Sequence, residues 1–359
     1  FFYAGRSLRK TSAAHKGFSL RPVLQRRPDF RADFLMLRLL IPTGSGYTWV
    51  EHTPPAPFPD EFLWADLFEP TPDEERAVEA LLTVDVPTRD EMKEIETSNR
   101  LYEEGGAVYM TATVGSKLDS ERPESSAITF ILANGRMITN RYVNPTPVQR
   151  FMQFVERSPA ACTSSATLFA GLLESFVERI ADLLERVQTE LDAVSFAIFP
   201  RGGATSPSSA DLHALIRQIC ADGDLVSKAR ESLVSFQRIL MYVQQTPNLE
   251  LSSDQRNRFK STLRDVQSLS DHASFLVSKI QFLLDAVLGL INLEQNNIIK
   301  IFSVAAVMFL PPTLVASIYG MNFHFMPELD KHWGYPAALL AMVFSALVPY
   351  VYFRRKGWL

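Results

Sequence analysis

The sequence is poor in cysteine and lacks the motifs that bind nucleotides. Its two cysteines, Cys162 and Cys220, stand far apart, form no metal-spaced cluster and fit a reducing cytoplasm. No GxxxxGK[ST] loop occurs, and no kinase or dinucleotide fingerprint precedes a helix in the required context. We therefore expect no hydrolysis of ATP and no enzymatic activity.

No long basic face appears outside the first 34 residues. The net charge is −4, so nucleic acid is a poor candidate partner. Residues 1–34 carry eight Lys and Arg against two Asp, but no apolar core of a signal peptide. This segment is interpreted as a disordered basic tail or an artefact of where translation was taken to start. The alternatives are an organelle transit peptide and a segment that binds anionic lipid headgroups.

Charged residues are missing from two stretches near the C-terminus. Asp, Glu, Lys and Arg are absent from 301–327 and again from 335–353. The 19-residue core of the first stretch would span roughly 30 Å as a helix, the thickness of bilayer hydrocarbon. We predict transmembrane helices at 299–319 and 335–353, joined by an external loop at 320–334. The tetrapeptide YGMN at the start of this loop suggests the mouth of a channel.

Residues 35–163 carry the signals of an α/β domain. Strands are predicted in FLMLRLLIP, FLWADLF, LYEEGGAVYMTATVG, AITFILANG and RMITNRYV. Asn134-Gly135 predicts a hairpin between the last two, and the sheet is expected to be antiparallel. Thr71 and Glu74 predict a capped helix that runs to about Leu82, and Thr88 with Glu91 predicts a second short one. Another helix is predicted from Asn144 in NPTPVQRFMQFVERS.

Long helices are predicted from 164 to 298. A first helix follows Ser164, PRGGATSPSS breaks the pattern at 200–209, and a second runs over about 210–245. A third begins near Ser252 and meets no stop before the membrane, which gives a helix of roughly 100 Å at ~1.5 Å per residue. We interpret it as a stalk that becomes the first span. A coiled-coil or dimerisation rod is the alternative.

The flanking charges predict the orientation. Lys300 precedes the first span, and Arg354, Arg355 and Lys356 open a basic tail at 354–359. The loop between the spans holds one fixed positive charge, Lys331. The excess of Lys and Arg at the outer flanks predicts that both termini are cytoplasmic.

One face of the first span carries a polar stripe with heptad spacing. It comprises Asn296, Ile299, Ser303, Ala306, Leu310, Thr313 and Ser317. Two helices cannot enclose a water path alone, so conduction would need several copies around an axis. Ile299 and Leu310 would then form apolar collars, with a wider point at Ala306. The alternative is plain helix packing, which small residues also favour.

The absence of acidic residues from this stripe bears on the ion. Mg²⁺ gives up its waters reluctantly, whereas neutral amides can bind the water shell without removing it. A ring of Asn322 at the outer end would do this. The membrane potential supplies about 4.6 kcal/mol per divalent ion at 100 mV, roughly a thousandfold accumulation without a fuel.

Four segments together carry a resemblance to a known family. YGMNF followed by MPEL, a WGYP start to the second span and an RRKGWL end resemble the CorA family of divalent-cation channels. The resemblance covers about 35–359 and implies a funnel-shaped homopentamer in the cell inner membrane. It places Gly320, Met321 and Asn322 on the selectivity motif. It also places Asn296, Ile299, Phe302, Leu310 and Thr313 on pore positions, although Phe302 is not on our stripe.

The resemblance further implies transport of Mg²⁺, with Co²⁺ or Ni²⁺ as further candidates, and gating by Mg²⁺ bound between cytoplasmic domains. For this regulatory site the match is poor: Asp90 and Glu91 occupy about the right place, and Asp265 and Asp271 are the nearest acids on the stalk. Glu91 also has a role as the capping partner of Thr88. The alternatives are a zinc transporter of the same architecture, similar to ZntB, and a non-conducting membrane-anchored scaffold. Met321 favours the magnesium branch.

Overall fold

The computed structural model describes residues 37–44, 46–120, 122–200, 208–322, 324, 326–328 and 330–358. The basic segment 1–34, the predicted start of the first strand at 34–36 and most of the predicted break at 200–209 lie outside the described residues. The strands are β1 (Leu37–Thr43), β2 (Gly46–His52), β3 (Trp64–Phe68), β4 (Leu101–Glu104), β5 (Ala107–Ser116), β6 (Glu124–Ala133) and β7 (Arg136–Arg141). The helices are α1 (Pro72–Leu82), α2 (Thr97–Arg100), α3 (Thr146–Arg157), α4 (Ser165–Ile198), α5 (Ser209–Gln245), α6 (Ser253–Tyr319) and α7 (Gly334–Arg355).

The seven strands form one sheet in the order β2-β1-β3-β7-β6-β5-β4. The predicted antiparallel pairing is correct for every pair except β3 and β7, which run parallel with Trp64 opposite Met137. A buried ion pair joins these two strands: Arg141 Nε and Nη2 each donate to the Asp66 carboxylate at 2.8 Å. Both side chains are almost fully buried, so each charge depends on the other for its stability.

Tight turns set the hairpins. Asn134 and Gly135 have φ of 51° and 72°, which confirms the predicted two-residue hairpin between β6 and β7. The stretch predicted as one strand at 101–115 is two strands, because Gly105 (φ 59°) and Gly106 (φ 80°) turn the chain between β4 and β5. The edge strand β2 was not predicted from the sequence.

The capping signals differ in outcome. Thr71 and Glu74 form the predicted capping box at the start of α1. Thr88 and Glu91 also exchange side-chain hydrogen bonds with each other's backbone, yet only a 3₁₀ turn follows, at Glu91–Lys93. The prediction of a second short helix was therefore wrong. That turn buries Met92 alone, so it lacks the apolar face that would stabilise a longer helix.

Alternate residues of the sheet face two apolar layers. Tyr109, Ile131 and Ile138 pack with Val78 and Leu82 of α1 on one side. Met110, Phe130 and Met137 belong to the larger core on the other side, which includes side chains of α3, α4, α5 and α6. The α+β domain thus has helices on both faces of its sheet.

The predicted long helices are confirmed, and α6 runs unbroken for 67 residues. Its buried side chains before the spans follow heptad-type spacing: Phe259, Thr262, Val266, Ala273, Leu276, Leu283 and Val287. A bidentate pair, with Arg258 Nε and Nη2 each 2.6 Å from the Glu174 carboxylate, joins α6 to α4. Over 288–303, all described, α6 has no buried residue, so the helix leaves the domain there as a stalk.

The two apolar helices remain exposed along most of their surface. In both α6 and α7, only 6% of the most apolar 18-residue window is buried. The core helix of a water-soluble domain would be mostly buried. The exposed apolar surface of these helices is therefore what lipid or a neighbouring chain would cover.

Candidate functional site

One face of the first apolar segment is already occupied by α7. Val304 is buried, and Met308 and Val315 are half-buried. These three residues recur at spacings of four and seven and so share one side of α6. Pro311 and Pro312 are half-buried near the same side. The second span thus covers a face that lacks hydroxyl and amide side chains.

The polar stripe lies on the opposite side of α6. All seven stripe residues, from Asn296 to Ser317, are exposed. At about 100° per residue, the centre of the stripe is roughly 150° from the face that α7 covers. Phe302, the pore position that was not on the stripe, lies on its flank and is 71% exposed. The structure therefore brings the predicted pore residues onto one uncovered side of one helix.

The proline pair interrupts hydrogen bonding beneath this stripe. Pro311 and Pro312 lack the N–H groups that would bond to the carbonyls of Val307 and Met308. In the next position Thr313 Oγ1 donates to the carbonyl oxygens of Phe309 (2.9 Å) and Leu310 (2.8 Å). The stripe hydroxyl at 313 therefore points its proton at its own helix, which leaves its lone pairs free to accept from water.

The YGMN tetrapeptide ends α6. Tyr319 is the last helical residue, and the Gly320 N–H bonds to the Ala316 carbonyl. Gly320 has φ −85°, open to any residue, but a Cβ there would lie 3.2 Å from that same oxygen. Met321 and Asn322 follow as exposed residues. Among the residues that the structure describes, none forms a hydrogen bond with the Asn322 side chain.

A glycine that we did not predict positions the loop after this tetrapeptide. Gly334, the first residue of α7, is buried, and a Cβ on it would overlap the Glu328 carbonyl oxygen. No side chain can be accommodated there without moving the backbone. The only sequence signal for this role was that Gly334 directly precedes the predicted second span, which begins at Tyr335.

The predicted regulatory acids are not gathered within one chain. Asp90 accepts from Lys93 Nζ at 2.7 Å, and this hydrogen bond lowers the pKa of Asp90. The Glu91 carboxylate accepts a hydrogen bond from the Thr88 hydroxyl, and Asp265 and Asp271 are exposed on α6. In the described part of the chain no three His, Cys, Asp or Glu side chains come together to hold a metal.

A mixed sheet between helical layers, a long stalk and two exposed apolar helices define a membrane protein whose N-terminal domain lies outside the bilayer. The family model for the CorA-like Mg²⁺ transporter protein matches residues 59–355, and the chain belongs to this family. It is a family of transporters rather than of enzymes. The resemblance drawn from the four C-terminal segments is confirmed.

Characterised relatives extend over most of the chain. The magnesium transport protein CorA of Yersinia pseudotuberculosis serotype I (strain IP32953) is 37% identical over 298 residues, which cover 83% of this chain and 92% of the relative. The protein of the same name from Escherichia coli (strain K12) is 36% identical over 300 residues, with the same coverage.

Solved structures share the fold. The complete structure of the CorA magnesium transporter from Methanocaldococcus jannaschii has a TM-score of 0.72 at 17% identity, and the match covers 91% of this chain and 99% of that one. The ZntB cytoplasmic domain from Vibrio parahaemolyticus RIMD 2210633 has a TM-score of 0.54 at 12% identity and covers 72% of this chain and 98% of that domain. At these identities the similarity concerns architecture alone.

Proposed function

We propose that this protein transports Mg²⁺ passively into the cytoplasm through a homopentameric pore in the inner membrane. Five copies of the α6 stripe would line the axis, and α7 would lie outside them, toward lipid. The observation that carries this proposal is the uncovered polar stripe, which faces away from α7 in a chain of the CorA family. A stripe used only to pack the two spans together would face α7 instead.

Asn322 and the motif Gly320-Met321 would form the outer entrance. Five neutral amides can hydrogen-bond to the water shell of Mg²⁺ without removing it, and such a weak site releases its ion. Ile299, Phe302 and Leu310 would form apolar constrictions further in, with Asn296, Ser303, Thr313 and Ser317 as rings of neutral oxygen and Ala306 as a wide point. The membrane potential would drive the flux, since both termini are proposed to be cytoplasmic.

Flux of Mg²⁺ into liposomes that contain purified protein tests this function. Asn322→Ala should reduce the flux about tenfold or more, the effect of losing hydrogen bonds to a charged, hydrated ligand, while the oligomer still assembles. Asn297→Ala is the matched control, because Asn297 is also an exposed asparagine but lies off the stripe. Unchanged flux and selectivity in Asn322→Ala would count against the proposed entrance.

The same vesicles test regulation and ion choice. We propose that Mg²⁺ inside the cell binds between neighbouring cytoplasmic domains and closes the pore, with Asp90, Glu91, Asp265 and Asp271 as candidate ligands from different chains. Raising Mg²⁺ on the cytoplasmic side should then lower the flux. Flux of Co²⁺, Ni²⁺ and Zn²⁺, measured with and without a pH gradient, separates this proposal from a proton-coupled zinc transporter.

A further inference from the structure

Residues 353–358 form a hydrogen-bonded turn at the end of α7. Gly357 adopts φ 70°, its N–H bonds to the Arg354 carbonyl, and the Trp358 N–H bonds to the Phe353 carbonyl. This is a Schellman motif, and the indole of Trp358 stacks on Phe353 with ring centroids 5.4 Å apart, the apolar contact that accompanies it. The turn directs Trp358 back along the helix rather than away from it.

This turn connects the two spans. Lys300 Nζ, at the start of the first span, lies 5.8 Å from the centroid of the Trp358 ring, a cation–π contact. Lys356 Nζ lies 5.6 Å from the ring of Tyr352. The start of the first span at Lys300 and the end of α7 are therefore level, and the rings of Tyr352 and Trp358 lie where interfacial tryptophan and tyrosine are enriched.

Four basic residues belong to this end of the two spans: three are consecutive and directly precede Gly357 of the turn, and the fourth contacts the Trp358 ring. Lys300, Arg354, Arg355 and Lys356 are all exposed, and we call them the basic cluster. No Asp or Glu occurs between 295 and 327 or after 330. None of the four forms an ion pair with any residue in the described part of the chain, although the other described domains contain many such pairs. Like charges on consecutive residues and on a lysine that contacts the same turn repel one another, and a bound anion would relieve the repulsion.

We propose that the basic cluster binds the phosphate of an anionic phospholipid. A lipid is favoured over another anion because the cluster lies at the end of two spans, where headgroup phosphates are concentrated, and because Trp358 and Tyr352 offer rings at the headgroup level. The bound headgroup would bridge α6 and α7. This inference depends on the membrane location of the two helices and not on the identity of the transported ion.

Native mass spectrometry and thermal unfolding of the full-length protein test the site. Phosphatidylglycerol added to the detergent-purified protein should remain bound and raise its melting temperature more than phosphatidylcholine does. In the fourfold variant K300Q/R354Q/R355Q/K356Q the affinity for phosphatidylglycerol should fall by about fivefold for each charge removed. K331Q is the matched control: Lys331 makes the same cation–π contact, 5.4 Å from the ring of Trp333, but stands alone at the other end of the spans.

Equal retention of phosphatidylglycerol by wild type and the fourfold variant would overturn the proposal. An equal rise in melting temperature with inorganic phosphate would also overturn it, since the site would then take a free ion. If the fourfold variant does not fold, R354Q/R355Q and K300Q/K356Q replace it, and both must weaken lipid binding. Mg²⁺ flux in vesicles that contain phosphatidylglycerol keeps the two proposals apart. Absent flux from protein that still retains phosphatidylglycerol would contradict the proposed transport and leave the lipid site standing.

Discussion

Asp222 of α5 faces Glu190 of α4 where these two helices pack together. Asp222 is 2% exposed, and its Oδ2 has no hydrogen-bond partner among the described residues. Burial is the main cause that raises the pKa of Asp222 to about 7, and the hydrogen bond and negative charge of Glu190 raise it further. The positive charge of Arg186 lowers the pKa of Asp222, but Arg186 is shared with a second carboxylate. Its Nη1 donates a hydrogen bond to Asp119 at 2.6 Å.

This arrangement predicts that the N-terminal domain loses stability as pH rises from about 4 to about 7. In that window the folded protein keeps a proton on Asp222 that the unfolded chain, with its ordinary pKa, releases. The stability that this retained proton contributes is fully present below the pKa of Asp222 in the unfolded chain. It is lost above the pKa of Asp222 in the folded protein. Asp222→Asn cannot titrate and should lack this part of the slope. Melting temperatures of the purified full-length protein at several pH values measure the difference.

Asp224→Asn is the matched control for this experiment. Asp224 is two residues away on the same helix, but it is exposed and pairs with Lys228 at 3.4 Å. Its variant should keep the pH slope of the wild type, since a solvated carboxylate gains little from folding. A slope in Asp222→Asn that follows the wild type would show that Asp222 is ionised in the folded protein.

Gly334→Ala is predicted to disturb the loop between α6 and α7. The added methyl would overlap the Glu328 carbonyl oxygen, so the backbone must move at the start of α7. We expect the free energy of unfolding to fall by about 1–3 kcal/mol, as at other overpacked sites. The melting temperature and the Mg²⁺ flux should fall with it. Unfolding of the detergent-purified protein and liposome flux measure the two effects.

Gly289→Ala is the control, and we expect it to raise stability where Gly334→Ala lowers it. Gly289 lies within α6, and nothing in the described chain approaches within 4 Å of a Cβ placed there. Gly289→Ala should therefore stabilise the helix by about 1 kcal/mol, because alanine loses less backbone freedom than glycine. If Gly334→Ala were as stable as Gly289→Ala, the close approach of Gly334 to Glu328 would not exist in solution.

Features encoded over a few residues could be predicted from the sequence. The Thr71–Glu74 capping box and the Asn134-Gly135 hairpin depend on local spacing, and the long stalk of α6 depends on the absence of proline from 253 to 310. All three are present. Thr88 and Glu91 show the limit of this approach. Their capping contacts form, but a cap does not extend a helix that has no apolar face to bury.

Features that depend on distant residues could not be predicted. Strand β3 pairs in parallel with β7, and Trp64 lies opposite Met137. These two residues are more than seventy positions apart in the sequence. Nothing in either segment specifies that partner. For the candidate site, the heptad spacing predicted a shared side for the stripe. It could not show that α7 covers Val304, because an apolar helix carries no sign of what packs on each face.

The side of α6 that water reaches can be tested by single cysteines. Ser303 is exposed on the stripe, whereas its neighbour Val304 is 3% exposed under α7. In a background of Cys220→Ser, Ser303→Cys should react with a charged, water-soluble thiol reagent in liposomes, and Val304→Cys should not. The native Cys220 is exposed and must be removed, while Cys162 is buried, and this burial raises the pKa of its thiol. Cys162 therefore contributes little thiolate to the signal.

Phe309→Cys extends this test to a third environment. Phe309 is 70% exposed in the single chain, but it lies neither on the stripe nor among the half-buried residues beneath α7. In a membrane-embedded oligomer we expect lipid or a neighbouring helix to cover it, so its cysteine should also be unreactive. Mass spectrometry of the labelled protein gives the extent of reaction. Equal labelling at 303 and 309 would show that the stripe does not face a separate water-filled axis, and the pore would then have to be lined by another surface.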